Sequence, residues 1–266
     1  MMKITLIGTG NVAYHIGLRL KEKGVSLNQI IGRDADKTAW LSNVLQADAT
    51  IDFGKIKTDS AIYIIAVNDA AINSVAEKLA QLIDNQWVVH TSGSVPSSVL
   101  MPYFKNYGAL YPLQTFTIGS SVDFEKIPIF INATPCQSIE QTQKALHFLE
   151  KFAAILSPNV YFLPDEKRMA LHVAAVFVNN FTNYIFQIGQ DITDKNDLPF
   201  AALKPLIEQT VLKIKNQDPR AVQTGPAFRG DFNTIEKHLV FLKDYPPQYL
   251  ALYKLFSESI AVEDRL

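Results

Sequence analysis

Gly8, Gly10 and Ala13, in "LIGTGNVAYHI", follow a β-branched run and open a helical pattern with the spacing G-x-G-x-x-A. That spacing suits pyrophosphate binding. Gly8 permits a tight turn, Gly10 lets the backbone approach an anion, and Ala13 keeps the helix near the sheet, while the first N–H groups of the helix face the ligand. Thr9, Asn11 and Val12 complete the loop. At the end of the second strand, "IIGRDADK" places Gly32 and Arg33 where a ribose-binding carboxylate would suit NAD. An arginine fork beside a neutral glycine suits a 2′-phosphate, so NADP is the expected cofactor. NAD is the alternative if Asp34 reaches the ribose instead of capping the next helix.

Further along lie Val67, Asn68 and Asp69 in "AVNDAAI", and Thr91, Ser92 and Gly93 in "HTSGSV". Each group follows a predicted strand, where a doubly wound sheet binds its ligand, and would line the nicotinamide half. Asp69 is also placed to cap a helix. In the second half, His172, Asn180, Asn183 and Gln187 recur at helical spacing with Val176 on the same face, while Val173, Phe177, Phe181 and Ile185 mark faces expected to be buried. Such a polar stripe lines a wet cleft or lies outermost, and a lone histidine within it is a proton carrier or a satisfied core group.

These residues need a scaffold. Strand-like and helical runs alternate through the first half, from "KITLIG" to "NVYFL", which predicts a parallel sheet with helices on both faces. Beyond Pro164 only helical patterns remain, at 165–191, 199–216, 231–244 and from 246 to about 260. The expected organisation is an α/β domain over 1–158 and an all-helical domain over 159–266. In "TGPAFRGDFNTIEKHL", Gly225 and Pro226 are expected to stop a helix and Gly230 to free the backbone. Asp231 would cap the next helix, with Thr234 in its first turn and His238 on the same face. The loop would present Thr224 and Arg229, the latter either to a carboxylate or phosphate or to an internal pair with Asp231 or Asp191.

Composition narrows the partners. The chain has 266 residues, 48% hydrophobic and 19% charged, with a formal charge of -1. That balance gives no electrostatic reason to expect nucleic acid or an anionic membrane, either of which would demand a basic face, and leaves small molecules as the expected ligands. A single cysteine, Cys136, excludes an intrachain disulfide, a thiolate metal cluster and a Cys-x-x-Cys pair, so no metal site is expected; Cys136 is read as inert packing. The N-terminus lacks a signal-peptide pattern, and a reducing cytoplasmic setting is expected.

The glycine loop, the Val67-Asn68-Asp69 corner, "HTSGS", "YPLQTF", "LHVAAVFVNNF" and "TGPAFRGDFNTIEKHL" together resemble a bacterial family of NADP oxidoreductases. Its members join a Rossmann-like domain to a helical domain of unknown function, number 2520. The resemblance covers nearly the whole chain and implies kinship with pyrroline-5-carboxylate reductase, ketopantoate reductase and the 6-phosphogluconate dehydrogenase type. In that kinship the nicotinamide cofactor lies in the first domain, the helical domain closes the site, and the helical domains form a homodimer. Relatives carry Lys-x-x-x-Asn on the first long helix. Asn180 matches the asparagine, but Val176 stands at the lysine, so His172 is proposed as the proton carrier. Tyr111 replaces a histidine common in the family before the proline of "YPLQTF". The expected activity is hydride transfer to or from a small carbonyl, imine or hydroxy compound, with Ser92 and Arg229 positioning it in the cleft between domains. The alternative, favoured by Val176, is a silent NADP-binding sensor or assembly protein.

Overall fold

The computed structural model describes residues 2–133 and 139–263, so Cys136 lies outside the described residues. Eight strands form one sheet in the order β3-β2-β1-β4-β5-β6-β7-β8. They are β1 (Ile4–Ile7), β2 (Leu27–Ile31), β3 (Ala49–Thr50), β4 (Ile62–Ile65), β5 (Trp87–His90), β6 (Tyr107–Pro112), β7 (Ile129–Asn132) and β8 (Val160–Phe162). The helices of this half are α1 (Asn11–Glu22), α2 (Ala35–Leu45), α3 (Ile72–Ala80), α4 (Ile139–Leu156) and α5 (Asp165–Ala175).

The central strands are buried on both faces, which is why they read as continuous apolar runs. In β4, Ile62 and Ile64 join a core with Leu6, Ile16, Leu20, Leu149 and Phe152, while Tyr63 and Ile65 point the other way into a core with Leu79, Leu100 and Phe104. This alternation is the period-two geometry of a strand. β1 pairs in parallel with both β2 and β4, so the strand order reverses at β1 and opens a crevice beyond its carboxyl end.

One strand departs from the parallel pattern. β7 runs antiparallel to β6, with Leu110 opposite Ile131. The segment between them holds only a short 3-10 turn at Phe124–Lys126, and a parallel return needs a longer crossover. α4 supplies such a crossover next, and β8 is parallel to β7.

Contacts divide the chain into two compact units, Met1–Asn180 and Phe181–Leu266. α5 therefore belongs with the sheet. Following α5, Val176–Phe181 forms a π-helical turn before α6 (Thr182–Lys195). The second unit continues with α7 (Lys204–Asn216), α8 (Phe232–Phe241) and α9 (Pro247–Glu263). Its internal ties include a hydrogen bond from Tyr249 to the Asp191 carboxylate and one from Asn196 Nδ2 to the Tyr245 hydroxyl at 2.6 Å. The Asp191 bond pushes the Tyr249 phenol up to about 12.

Two expectations change here. Val173, Phe177, Phe181 and Ile185 are exposed rather than buried, as are Leu206, Phe232, Val240 and Leu255. Among the described residues of the second unit, only Ala227, Leu242 and Tyr249 are buried apolar side chains. The helical pattern expected over 199–216 does end at Asn216, where Gln217 turns to an extended conformation, so Gly225 and Pro226 are not what stops it.

Candidate functional site

The site is built where strands end. Gly8 has φ +126°, and a Cβ there would lie 2.0 Å from the Ala66 carbonyl oxygen just past β4. Only glycine closes this turn against the neighbouring strand. Gly10 is the N-cap of α1, with no side-chain capping bond and no acidic residue in the first turn. Open space surrounds the position of its missing Cβ, with no heavy atom within 4 Å. Uncapped helix N–H groups, an unopposed positive dipole end and room for close approach suit a pyrophosphate. Ala13 is fully buried and brings α1 against the sheet. Thr9 and Val12 are half-buried, and Asn11 accepts a hydrogen bond from the Ile118 N–H at 3.3 Å.

Beyond β2, Gly32 has a steric reason of its own: a Cβ would meet Thr38 Oγ1 at 1.9 Å and Thr9 Cγ2 at 2.8 Å. Asp34 caps α2 by accepting from the Lys37 N–H at 3.0 Å. Arg33 is exposed, and its side chain makes no hydrogen bond or ion pair among the described residues. The guanidinium is thus available to a phosphate at the place where Asp34 is already committed.

Past β4, Val67 is half-buried and Asn68 exposed. Asp69 is not a side-chain cap; it accepts a hydrogen bond from the Ser94 hydroxyl and so ties the loop after β4 to the loop after β5. In that second loop Thr91 and Ser92 are buried. Ser92 Oγ accepts from the Ser94 and Val95 N–H groups at 3.1 and 2.9 Å, which shapes the turn.

Gly93 is the meeting point. A Cβ on it would come within 2.5 Å of His172 Nδ1 and 2.9 Å of Tyr111 Cζ. His172, from α5, is therefore laid directly on the loop that leaves β5. Its Nδ1 is 3.0 Å from the hydroxyl of Tyr111, on β6. Tyr111 thus contacts His172 directly.

α5 is anchored one turn earlier. Arg168 Nη1 donates to Asp165 Oδ1 at 2.6 Å, and Nη2 donates to the Val95 carbonyl. Asp165 also accepts from Asn132 Nδ2 at 2.7 Å and from the Ser97 N–H at 2.8 Å. Burial acts to raise the Asp165 carboxyl, but the bonds from Asn132, Arg168 and Ser97 hold it below the usual carboxylate range. Fully buried His90 accepts the Ser92 N–H on Nδ1 at 3.2 Å, and its Nε2 has no hydrogen-bond partner among the described residues. Burial first, then the Arg168 charge, pulls it down to about 4, so it stays neutral.

Asn180 lies in the π-helical turn and is exposed, as are Asn183 and Gln187. The wider turn breaks the uniform helical period that placed these residues in line with His172. In the second unit, Asp231 caps α8 by accepting the Thr234 N–H at 3.1 Å. Gly225 and Gly230 take positive φ values of 115° and 67°, and Thr224 and Arg229 stand exposed. Neither internal pair forms: Asp191 is held by Tyr249, and Arg229 acts on Asp231 only through space. His238 instead accepts or donates at the Tyr253 hydroxyl, 2.7 Å away.

Arg168 and His90 were not singled out from sequence. A charged residue three after an Asp and four before a His was the available sign for Arg168; His90 ends a strand whose neighbours are apolar.

Residues 3–93 match the family model "NADP oxidoreductase coenzyme F420-dependent", and residues 135–260 match "Domain of unknown function (DUF2520)". The chain is similar to the "putative NADP oxidoreductase" of Bacteroides fragilis, at 36% identity over 98% of each chain and a TM-score of 0.90. A Thermotoga maritima protein shares 21% identity over 99% of this chain and 100% of its own, with a TM-score of 0.70. The 1-pyrroline-5-carboxylate reductase of Streptococcus pyogenes shares the fold, at 15% identity over 100% and 99% and a TM-score of 0.62. No curated protein matches.

Proposed function

Because the chain belongs to the NADP oxidoreductase family whose members carry the DUF2520 domain, we propose that it reduces or oxidises a small carbonyl, imine or hydroxy compound with NADP as cofactor. The observation that carries this reading is the β1–α1 turn, closed by Gly8 and open above Gly10. Gly8 to Ala13 hold the pyrophosphate, Arg33 takes the 2′-phosphate, and Val67, Asn68, Asp69, Thr91 and Ser92 line the path to the nicotinamide. Bound there, the cofactor would supply or accept the hydride.

His172 exchanges the proton, seated on Gly93 beyond the carboxyl end of β5. Ser92 acts through the loop it shapes, Asn180 orients the reacting group, and Arg229 is the exposed fork for a carboxylate or phosphate. The exposed apolar residues of the helical unit, Leu206, Phe232, Val240 and Leu255 among them, support a homodimer. Sedimentation showing a monomer at micromolar concentration would remove the dimer.

A second reading, an NADP-binding sensor without turnover, is favoured by Val176 at the position of the relatives' lysine. The two separate in one assay. Loss of the reduced-nicotinamide absorbance with some member of a panel of keto acids and cyclic imines, abolished by His172→Ala, is the enzyme outcome. Saturable NADPH binding with no turnover on any member is the sensor outcome.

A further inference from the structure

Tyr111 is buried at the carboxyl end of β6. Its ring meets His172 edge-on, with centroids 5.8 Å apart and planes at 76°, and its hydroxyl lies 3.0 Å from Nδ1. Both rings rest on Gly93, whose backbone leaves no room for a Cβ beneath them. Two strand ends and one helix therefore converge on a single imidazole nitrogen. Burial pushes the Tyr111 phenol up, against which the charge of Arg168, one turn before His172 on α5 and 1% exposed, acts in the opposite direction.

We infer that Tyr111 is a positioning residue for His172, its phenol donating to Nδ1 so that Nε2 carries the ring proton offered to the substrate. This rests on the proton role given to His172 above. The physical argument is tautomeric: the nitrogen left to act is set by the hydrogen bond at the other one. A neutral phenol has one proton to give, and bare Nδ1 is the acceptor in reach.

The proton step balances. The Nε2 proton passes to the substrate oxygen or nitrogen as the phenolic proton passes to Nδ1. Burial opposes negative charge on the Tyr111 oxygen and the Arg168 guanidinium offsets this only in part, so solvent returns a proton to the phenol to close the cycle.

The first readout needs neither cofactor nor substrate. Long-range proton–nitrogen NMR of the full chain labelled at histidine, with His172 assigned by its disappearance in His172→Gln, reports which ring nitrogen carries the proton. The expected wild-type ring is protonated on Nε2 with Nδ1 bare. Tyr111→Phe, which keeps the ring packing, is expected to give mixed tautomers and a kcat lowered about 10-fold or more with KM nearly unchanged. A wild-type ring protonated on Nδ1, or an unchanged tautomer in Tyr111→Phe, overturns the positioning role. Full turnover by His172→Gln overturns instead the proton role beneath it, and the two failures are distinguishable because the NMR result does not depend on activity.

Discussion

Arg168 and Asp165 form an ion pair at 2.6 Å in which the arginine side chain is 1% exposed and the aspartate 20% exposed. Desolvation makes such a pair a poor source of net stability, yet breaking it from one side leaves a charge buried and unpaired. Asp165 also gathers Asn132 and Ser97, so β7, the loop after β5 and α5 are joined at one carboxylate. The same joint sets where His172 rests.

Asp165→Ala is accordingly expected to cost about 3–5 kcal/mol of unfolding free energy. Replacing both partners with apolar residues of similar volume, Asp165→Leu with Arg168→Met, is expected to cost far less. Urea denaturation of the two variants checks this, and equal losses would show that the charge pair is not the source of the effect. Because the folded Asp165 carboxyl lies below its unfolded value, its contribution is complete above the ordinary carboxylate range. That contribution is lost as pH falls through the folded value.

His90 gives the fold a second acid sensitivity. Its folded value of about 4 lies below the ordinary 6.5, so the unfolded chain binds the extra proton across that window. Stability is therefore full above pH 6.5 and declines as pH falls toward 4, with a slope of up to about 1.4 kcal/mol per pH unit from this group. Urea midpoints at several pH values in that window are expected to decline less steeply in His90→Gln than in the wild type. Parallel curves would contradict the assignment.

Gly93→Ala would drive a methyl group into His172 and Tyr111. Displacing His172 by about an ångström is expected to lower kcat on the order of 100-fold. NADPH affinity should stay near the wild-type value, since the cradle of Gly8 and Gly10 is untouched. Calorimetry and steady-state kinetics on the same preparation separate the two effects.

The strands and the glycine turn were legible because they are local: buried β-branched runs and a G-x-G-x-x-A spacing leave their signal in consecutive residues. The direction of β7 was not, since it depends on the absence of a crossover helix between Pro112 and Ile129. The π-helical turn at Val176–Phe181 was hidden because its residues look like any apolar helix. Tyr111 and His172 lie 61 positions apart, and nothing in either neighbourhood announces the other. Asp69 looked like a cap by position, but the Ser94 hydroxyl claims it across the sheet. Long-range polar pairing decides the candidate site, and no local pattern encodes it.

Arg33→Ser is expected to weaken NADPH by about 10-fold or more while leaving NADH nearly unchanged, since a charge-assisted contact to the 2′-phosphate is worth roughly 1.5–3 kcal/mol. Competition binding with the two cofactors measures it. Equal losses for both would place Arg33 away from the ribose.

The central claim is that the turn after β1 holds a dinucleotide pyrophosphate, and Gly10→Ala tests it most directly. Gly10 has an extended conformation that alanine adopts freely, and no atom lies within 4 Å of the added Cβ, so the ligand-free protein should melt as the wild type does. The methyl group would occupy the space reserved for the phosphate. Calorimetric titration is expected to give saturable NADPH binding in the wild type and at least about 10-fold weaker binding in the variant. Identical affinities in the two proteins, or no binding in the wild type, would contradict the account.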